Sequence, residues 1–222
     1  MDKVIQKIKD ISKSIAIIFL YFVLNTFLVA IFYKYIKSNN LFIANFINIL
    51  IDLIVLFTYI LIYRKCIFKD VKDFKVNGKK YIKDNFNVYI LSYIIMIIIN
   101  VILMNTIGMP NNEAGNREIL TKYPYFAVIS MIITGPIVEE LMVRKNLRDV
   151  VNNKYLYIVL SGLVFGLLHM AVASSLKELL FVISYGVLGS CFAIMYYKTD
   201  NIFTSIFFHS MHNLIAVLFL LV

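Results

Sequence analysis

The sequence predicts an all-α fold, a polytopic transmembrane bundle of about seven helices with its N-terminus inside the cell. Three observations carry this prediction: the composition, the spacing of the apolar stretches and the distribution of the basic residues. Of the 222 residues, 61% are hydrophobic, and the mean hydropathy is +0.82. This composition leaves too little polar surface for a soluble globular protein, so the chain is expected to be integral to a membrane.

Seven apolar stretches are each close to the ~20 residues that a helix needs to cross the hydrocarbon core. They cover residues 15–33, 41–63, 88–109, 125–143, 155–172, 176–197 and 202–222. The first stretch follows four lysines, as in a signal peptide, but it is too long for one and lacks a small-residue cleavage site. We therefore expect it to remain as a membrane helix. Residues 1–13 are expected to form either a short interfacial helix or a frayed basic tail.

The basic residues set the expected orientation. With the N-terminus inside, seventeen of the 22 lysines and arginines fall on the cytoplasmic side, many of them in a basic loop predicted at 64–86. The five on the other side are Lys34, Lys37, Arg117, Lys122 and Lys177. Lysine and arginine concentrate in cytoplasmic loops, so this distribution favours a cytoplasmic N-terminus and an external C-terminus. The net charge of +9 is then explained by orientation and by attraction to membrane lipids, and nucleic acid is not an expected partner.

The chain is expected to divide at a loop over residues 108–124, which contains the turn signal Pro110-Asn111-Asn112. Residues 1–110 would then hold about three N-terminal helices, and residues 120–222 would form a four-helix core. The cysteines, Cys66 and Cys191, lie far apart in the sequence, have no metal-type spacing and are not expected to form a disulfide.

A polar stripe runs along the second apolar stretch, where Asn45, Asn48 and Asp52 share one helical face. Such a stripe is expected to face protein or water and not lipid. Hydrogen bonding between helices is the favoured interpretation, ahead of a role in a transport pathway or in catalysis. Asp52 nevertheless remains a candidate functional residue.

Two adjacent glutamates, Glu139 and Glu140, lie near the end of the fourth apolar stretch, where ionisable residues are costly and are functional candidates by default. Pro136 precedes them and is expected to kink the helix. Glu140 and Arg144 have the i, i+4 spacing at which a carboxylate meets a cation on a helix. This pairing would leave Glu139 available for another role.

All three histidines of the chain lie in the apolar stretches that follow. His169 follows Gly162 and Gly166, a small-xxx-small pattern that allows close helix packing. His209, His212 and Asn213 are spaced i, i+3 and i+4, so they share one side of the last helix. A histidine in a membrane helix is often a packing residue, but this combination with an unpaired carboxylate favours a catalytic site.

Three motifs now indicate a family. Glu139-Glu140-Leu-Met-Val-Arg144 matches EExxxR, Phe165-Gly-Leu-Leu-His169 matches FxxxH, and His209-Ser-Met-His-Asn213 matches HxxxN. In that order and on successive apolar segments, they resemble the CAAX protease and bacteriocin-processing family of intramembrane proteases. This family, also called CPBP or Abi, includes the type II CAAX prenyl endopeptidases. The resemblance covers roughly residues 120–220.

The resemblance implies a role for each residue in the motifs. Glu139 corresponds to the catalytic glutamate, and His169, His209 and Asn213 correspond to its partners around the scissile bond. Glu140, Arg144 and Phe165 are implied to support them. His212 has no place in the pattern, and we expect it to be a structural neighbour and not an alternative to His209.

The implied activity is that of an intramembrane endopeptidase that uses a glutamate-activated water. We expect Glu139 with His169 to activate the water, and His209 with Asn213 to bind the developing oxyanion. A Zn²⁺ ion held by Glu139, His169 and His209 is the alternative. The metal-free mechanism is slightly preferred, because an asparagine is a poor zinc ligand and a good oxyanion donor.

The expected substrate is a membrane-associated peptide or protein. The Ile-, Lys- and Asn-rich composition suggests a bacterial chain in the plasma membrane, acting in peptide maturation or in bacteriocin self-immunity. Cleavage of prenylated CAAX proteins is less expected. A non-catalytic immunity or binding protein is the main alternative, and a small proton-coupled transporter using Asp52 and the histidines is a third. The oligomeric state is left open.

The depths of the predicted residues impose one geometric condition. At ~1.5 Å per residue, Glu139 would lie ~6 Å, His209 ~10 Å and His169 ~21 Å from the cytoplasmic end of their helices. These depths converge only if the fourth helix continues past Arg144, toward Leu147 or Val150, and the fifth helix begins later or tilts. The sequence therefore predicts such an extension.

Overall fold

The computed structural model describes residues 2–36 and 41–221, and within these ranges it contains helices and no strand. The predicted all-α membrane bundle is confirmed. The residues Lys37 and Val222, which the sequence places in an external loop and at the end of the last span, lie outside the described residues. The helices are α1 (Asp2–Tyr35), α2 (Leu41–Ile107), α3 (Asn111–Lys122), α4 (Pro124–Val150), α5 (Lys154–His169), α6 (Phe181–Thr199) and α7 (Ile202–Leu221).

Several of these helices are suited to crossing a membrane. Within the described part of the chain, five helical segments are long and apolar enough to do so, namely Val4–Tyr35, Phe42–Ile107, Pro124–Val150, Glu178–Thr199 and Ile202–Leu220. The apolar helix α5 is shorter. The protein is therefore an integral, multi-pass membrane protein. The count of seven spans and the cytoplasmic N-terminus remain predictions.

Helix α2 contains two of the predicted apolar stretches, and the basic segment 64–86, expected as a loop, is helical. This segment has no proline and a single glycine, Gly78, so little in it would end a helix. The helix is broken locally at Tyr63, where φ is −105° and ψ is 16°. Asp52 and Asn100 line cavities that both reach His169, although a straight helix would hold them about 70 Å apart. Helix α2 therefore doubles back on itself.

The segment 108–124, predicted as a loop, is largely the helix α3. Gly108 has a φ of +99°, which turns the chain out of α2, and Pro110 then precedes the first residue of α3. Two ion pairs at i, i+4 spacing support the helix: Glu113 with Arg117 at 2.7 Å, and Glu118 with Lys122 at 2.6 Å. The turn signal thus marks the start of a helix.

Helix α4 runs to Val150, so the predicted extension past Arg144 is confirmed. Helix α5 begins at Lys154, so it does not begin later than the predicted stretch, and a tilt of α5 stays a prediction. Two of its segments are π-helical, Ile129–Thr134 and Glu140–Lys145. The first ends immediately before Gly135 and Pro136, so the expected disturbance at the proline takes the form of a widened turn. The second begins at Glu140. Single π-helical turns of this kind occur frequently at functional sites.

Helices α5 and α6 pack closely because glycines lie at their interface. A Cβ atom built on Gly166 would lie 2.6 Å from the carbonyl oxygen of Val182, and one on Gly162 would lie 2.7 Å from that of Gly186. The predicted small-xxx-small packing face is therefore confirmed. This contact fixes the position of α5, whose last residue is His169.

We expect Gly166→Ala to destabilise the bundle. The added methyl group must push α6 away, and overpacking of this kind costs about 1–3 kcal/mol of unfolding free energy. Thermal unfolding in detergent should show a lower melting temperature. Gly115→Ala in α3 is the matched control, because a Cβ there meets nothing within 4 Å. Equal melting temperatures for the two variants would contradict the predicted close contact.

Candidate active site

The centre of the site is a buried ion pair between Glu140 and Arg144. Glu140 Oε1 lies 3.1 Å from Arg144 Nη1, and both side chains are 0% exposed. The predicted i, i+4 pair is thus present. Arg144 Nη2 also donates to the carbonyl oxygen of Gly189 on α6, at 3.1 Å. Glu140 Oε1 lies 2.9 Å from Nδ1 of His209 on α7. The pair therefore joins three helices.

Aromatic rings enclose the same group. The guanidinium carbon of Arg144 lies 4.3 Å from the centroid of the Phe165 ring and 5.5 Å from that of Phe192. The His209 ring lies 4.9 Å from the Phe192 ring in a stacked arrangement and 5.4 Å from the Phe165 ring. Packing and hydrogen bonding thus hold the imidazole of His209 in one orientation.

Glu139 differs from its neighbour in its accessibility. Its side chain is 26% exposed, whereas that of Glu140 is 0% exposed. Glu139 Oε2 lies 3.8 Å from Nε2 of His209, and this oxygen has no hydrogen-bond partner among the described residues. Of the two adjacent carboxylates, one is therefore locked into the protein and the other remains available.

Glu139 faces a cavity of about 350 Å³, which we call the glutamate cavity. Its lining includes Asn45, Asn48, Asp52, Glu139, His169 and Asn213. The polar stripe of α2 therefore lines this cavity. Asp52 accepts a hydrogen bond from the hydroxyl of Ser130 in the first π-helical segment of α4.

His169 ends α5 and lies on the same cavity. Its Nδ1 is 2.9 Å from the carbonyl oxygen of Phe165, and its ring stacks on that of Tyr185 with centroids 4.4 Å apart. A carbonyl oxygen can only accept, so Nδ1 carries the proton in the neutral ring. The Nε2 atom is then an acceptor.

A second cavity, of about 270 Å³, adjoins the site, and we call it the histidine cavity. His209 lines it, whereas His169 and Asn213 line both cavities. Asn213 Nδ2 donates to the carbonyl oxygen of Met131 at 2.7 Å. One amide N–H of Asn213 is therefore held by α4, and the other remains for a ligand.

His212 lies beside these residues but has different partners. Its Nδ1 is 3.4 Å from the hydroxyl of Tyr89, and its ring lies edge-on to that of Tyr93, with centroids 5.4 Å apart. Both tyrosines belong to α2. These contacts agree with a structural neighbour, which stays a prediction.

Several residues at the site were not predicted from the sequence. Tyr21, Tyr185, Asn112 and Glu113 also line the glutamate cavity. The two tyrosines lie among many aromatic residues, so no sequence signal separated them from lipid-facing ones. Asn112 and Glu113 belong to α3, which was expected to be a loop.

The zinc alternative requires three donors that converge. Among the described residues, no group of three or more His, Cys, Asp or Glu side chains could hold a metal ion. The carbonyl oxygen of Phe165 accepts a hydrogen bond from Nδ1 of His169, so only Nε2 of His169 could act as a metal ligand. Glu139, His169 and His209 therefore do not fit a zinc centre in this geometry.

Comparison with known proteins bears on the same region. Residues 121–215 match the family described as type II CAAX prenyl endopeptidase Rce1-like. The resemblance predicted from the three motifs is confirmed over this region. We call residues 121–215, which match this family, the Rce1-like region. It contains every predicted catalytic and supporting residue, whereas Asp52 and the rest of α2 lie outside it.

Three curated relatives also match. The "Putative membrane peptidase YdiL" of Bacillus subtilis is 31% identical over 110 residues, which cover 48% of this chain and 42% of that protein. The "UPF0177 protein YbdI" of Lactococcus lactis is 29% identical over 109 residues, 49% of this chain and 57% of that protein. An "Uncharacterized protein" of Mycoplasma capricolum is 26% identical over 174 residues, 69% of this chain and 51% of that protein. The chain spans about half the length of the curated relatives it matches. No solved structure matches it.

We expect Arg144→Met to destabilise the protein strongly. Removing the guanidinium leaves Glu140 as a buried and unpaired carboxylate, which costs about 3–5 kcal/mol. Thermal unfolding in detergent measures the loss. Lys122→Met is the control, because its ion pair with Glu118 is solvent-exposed and its removal should leave the melting temperature unchanged. Similar melting temperatures for the two variants would refute the structural role of Arg144.

Proposed function

We propose that the Rce1-like region is the catalytic core of an intramembrane endopeptidase that hydrolyses a peptide bond with a glutamate-activated water. One observation carries this proposal: Glu139 lines a cavity between apolar helices, its side chain is 26% exposed, and its carboxylate lies 3.8 Å from Nε2 of His209. The three motifs and the named membrane peptidase among the relatives support it.

Glu139 is the general base of this mechanism. It takes a proton from a water molecule in the glutamate cavity, and the oxygen of that water attacks the carbonyl carbon of the scissile bond. His169 lines the same cavity and presents Nε2 as an acceptor, so it orients the water toward the carbonyl group. The proton held by Glu139 then passes to the nitrogen of the leaving amine.

His209 and Asn213 stabilise the oxyanion that forms on the attacked carbonyl oxygen. Glu140 accepts from Nδ1 of His209, which directs Nε2 toward the site. When Nε2 carries a proton, it donates to the oxyanion, together with the amide N–H of Asn213 that Met131 does not use. Fixed donors of this kind need no reorganisation during the reaction, so they lower its barrier.

The substrate of this activity is a membrane-associated peptide or protein, because the cavities lie between membrane helices. Maturation of a bacterial peptide or self-immunity against a bacteriocin is the proposed biological role. The N-terminal helices take part, since α2 lines both cavities.

We expect Glu139→Gln to abolish cleavage, because the amide has nearly the same shape but is no base. Mass spectrometry of small peptides and membrane-protein termini in host cells should show a precursor that accumulates only in this variant. Glu118→Gln, a change at an exposed glutamate of α3, is the control and should match the wild type.

Indistinguishable peptide profiles for Glu139→Gln and wild-type cells would contradict the proposed activity. If immunity to a bacteriocin were retained as well, the non-catalytic binding protein would replace the protease.

We expect Asn213→Ala to lower kcat by about 10²- to 10³-fold, the usual effect of losing one oxyanion donor. KM should change little, because the donor acts mainly on the transition state. Steady-state kinetics on a cleaved peptide measures both constants. Asn105→Ala on α2 is the control, since that side chain is exposed and bonds only to its own helix. A rise in KM with an unchanged kcat would contradict the assigned role.

A further inference from the structure

The charge of the glutamate cavity is opposite to that of the whole chain. The chain has 22 lysines and arginines and a net charge of +9. None of the described residues that line this cavity is a lysine or an arginine, whereas three are acidic: Asp52, Glu113 and Glu139. Asparagines supply much of the remaining polar lining. The cavity therefore has an acidic interior in a basic protein.

The three acidic residues have different partners. Glu113 forms an ion pair with Arg117 at 2.7 Å, so its charge is compensated within α3. Glu139 is the proposed base. Asp52 is bonded to the hydroxyl of Ser130, a neutral group, and it forms no ion pair among the described residues. Asp52 is thus the acid of this cavity that has no cationic partner among the described residues and no role in the proposed reaction.

An uncompensated carboxylate at membrane depth is unfavourable, and such residues usually pair with a cation or line a polar path. A ligand that carries its own cation would supply the missing partner. An acidic ligand group would be repelled, and a neutral one would leave the carboxylate unpaired. The chemistry of the cavity therefore favours a cationic group.

The position of Asp52 restricts where that group lies on a substrate. Asp52 and Glu139 together line a small adjoining cavity of about 30 Å³, with Tyr21 and Gly135 in its wall. The base and the second acid are therefore near neighbours. An extended peptide advances ~3.3–3.6 Å per residue, so a group that reaches Asp52 belongs to a residue close to the scissile bond.

We propose that Asp52 determines substrate specificity by pairing with a cationic group of the substrate. This group is a lysine or arginine side chain, or a free amino terminus, within about two residues of the scissile bond. Asn45 and Asn48 continue the polar face of α2 and line the same cavity. The inference rests on the proposed protease activity and adds the class of substrate that this site accepts.

The test uses the full chain in lipid nanodiscs and a set of apolar peptides that differ at one position. Each peptide carries lysine, norleucine or glutamate at one of several positions, and mass spectrometry identifies the cleaved bonds. For the wild type, kcat/KM should be at least about tenfold higher with lysine than with norleucine near the cleaved bond, as expected for a desolvated ion pair. Glutamate at that position should give the lowest value.

Variants assign this preference to Asp52. In Asp52→Asn, the ratio of kcat/KM for lysine over norleucine should fall to about one. In Asp52→Glu, which keeps the charge, the preference for lysine should remain. Asp84→Asn is the control, because Asp84 is exposed on the basic segment of α2, and it should keep the wild-type ratio. Melting temperatures verify that each variant is folded.

The outcomes separate this inference from the proposed activity. Equal cleavage of all peptides by the wild type, lost in Glu139→Gln, would refute the role of Asp52 and leave the protease standing. If the wild type cleaves none of the peptides, the protease proposal fails for these substrates. The role of Asp52 is then decided by measuring how tightly each peptide binds to the Glu139→Gln variant. Tighter binding of the lysine peptide, lost on adding Asp52→Asn, supports the specificity site. Equal binding of the lysine and norleucine peptides would overturn it.

Discussion

The ion pair between Glu140 and Arg144 is the interaction on which the rest of the site depends. It is fully buried, and it gains its stability from neighbours on other helices: the carbonyl of Gly189, the rings around the guanidinium, and His209. A buried pair of this kind gives little net stability, but losing one partner is costly. Helices α4, α6 and α7 can therefore move little relative to one another, because a shift would leave Glu140 or Arg144 buried without its partners.

The buried ion pair explains why two adjacent glutamates have different environments. A helix directs successive side chains about 100° apart, so Glu140 enters the protein interior while Glu139 faces the cavity. The π-helical segment that begins at Glu140 widens the helix at this point. The ring of His209 lies between the two carboxylates: Nδ1 faces Glu140 and Nε2 faces Glu139.

Local spacing predicted part of this arrangement well. The ion pair followed from the i, i+4 rule, and the extension of α4 followed from helix depth. The resemblance of residues 121–215 to a known family followed from three short motifs. Other features had no such signal. The segment 64–86 was predicted as a loop because it is highly charged, although its composition permits a helix. Pro110 was interpreted as part of a turn, but it immediately precedes the helix α3. The contact between Asp52 and Ser130 joins two helices across 78 positions of the chain, a tertiary feature that periodicity does not encode.

The proposed reacting groups and the polar residues of α2 that line the same cavity come from separate parts of the chain. The glutamates, histidines and Asn213 belong to the Rce1-like region, whereas Asn45, Asn48 and Asp52 belong to α2. Substitutions in α2 can therefore alter what enters the cavity without touching the residues that act on it. Under the proposed function, changes in α2 could therefore redirect the choice of substrate while the proposed reacting groups stay the same.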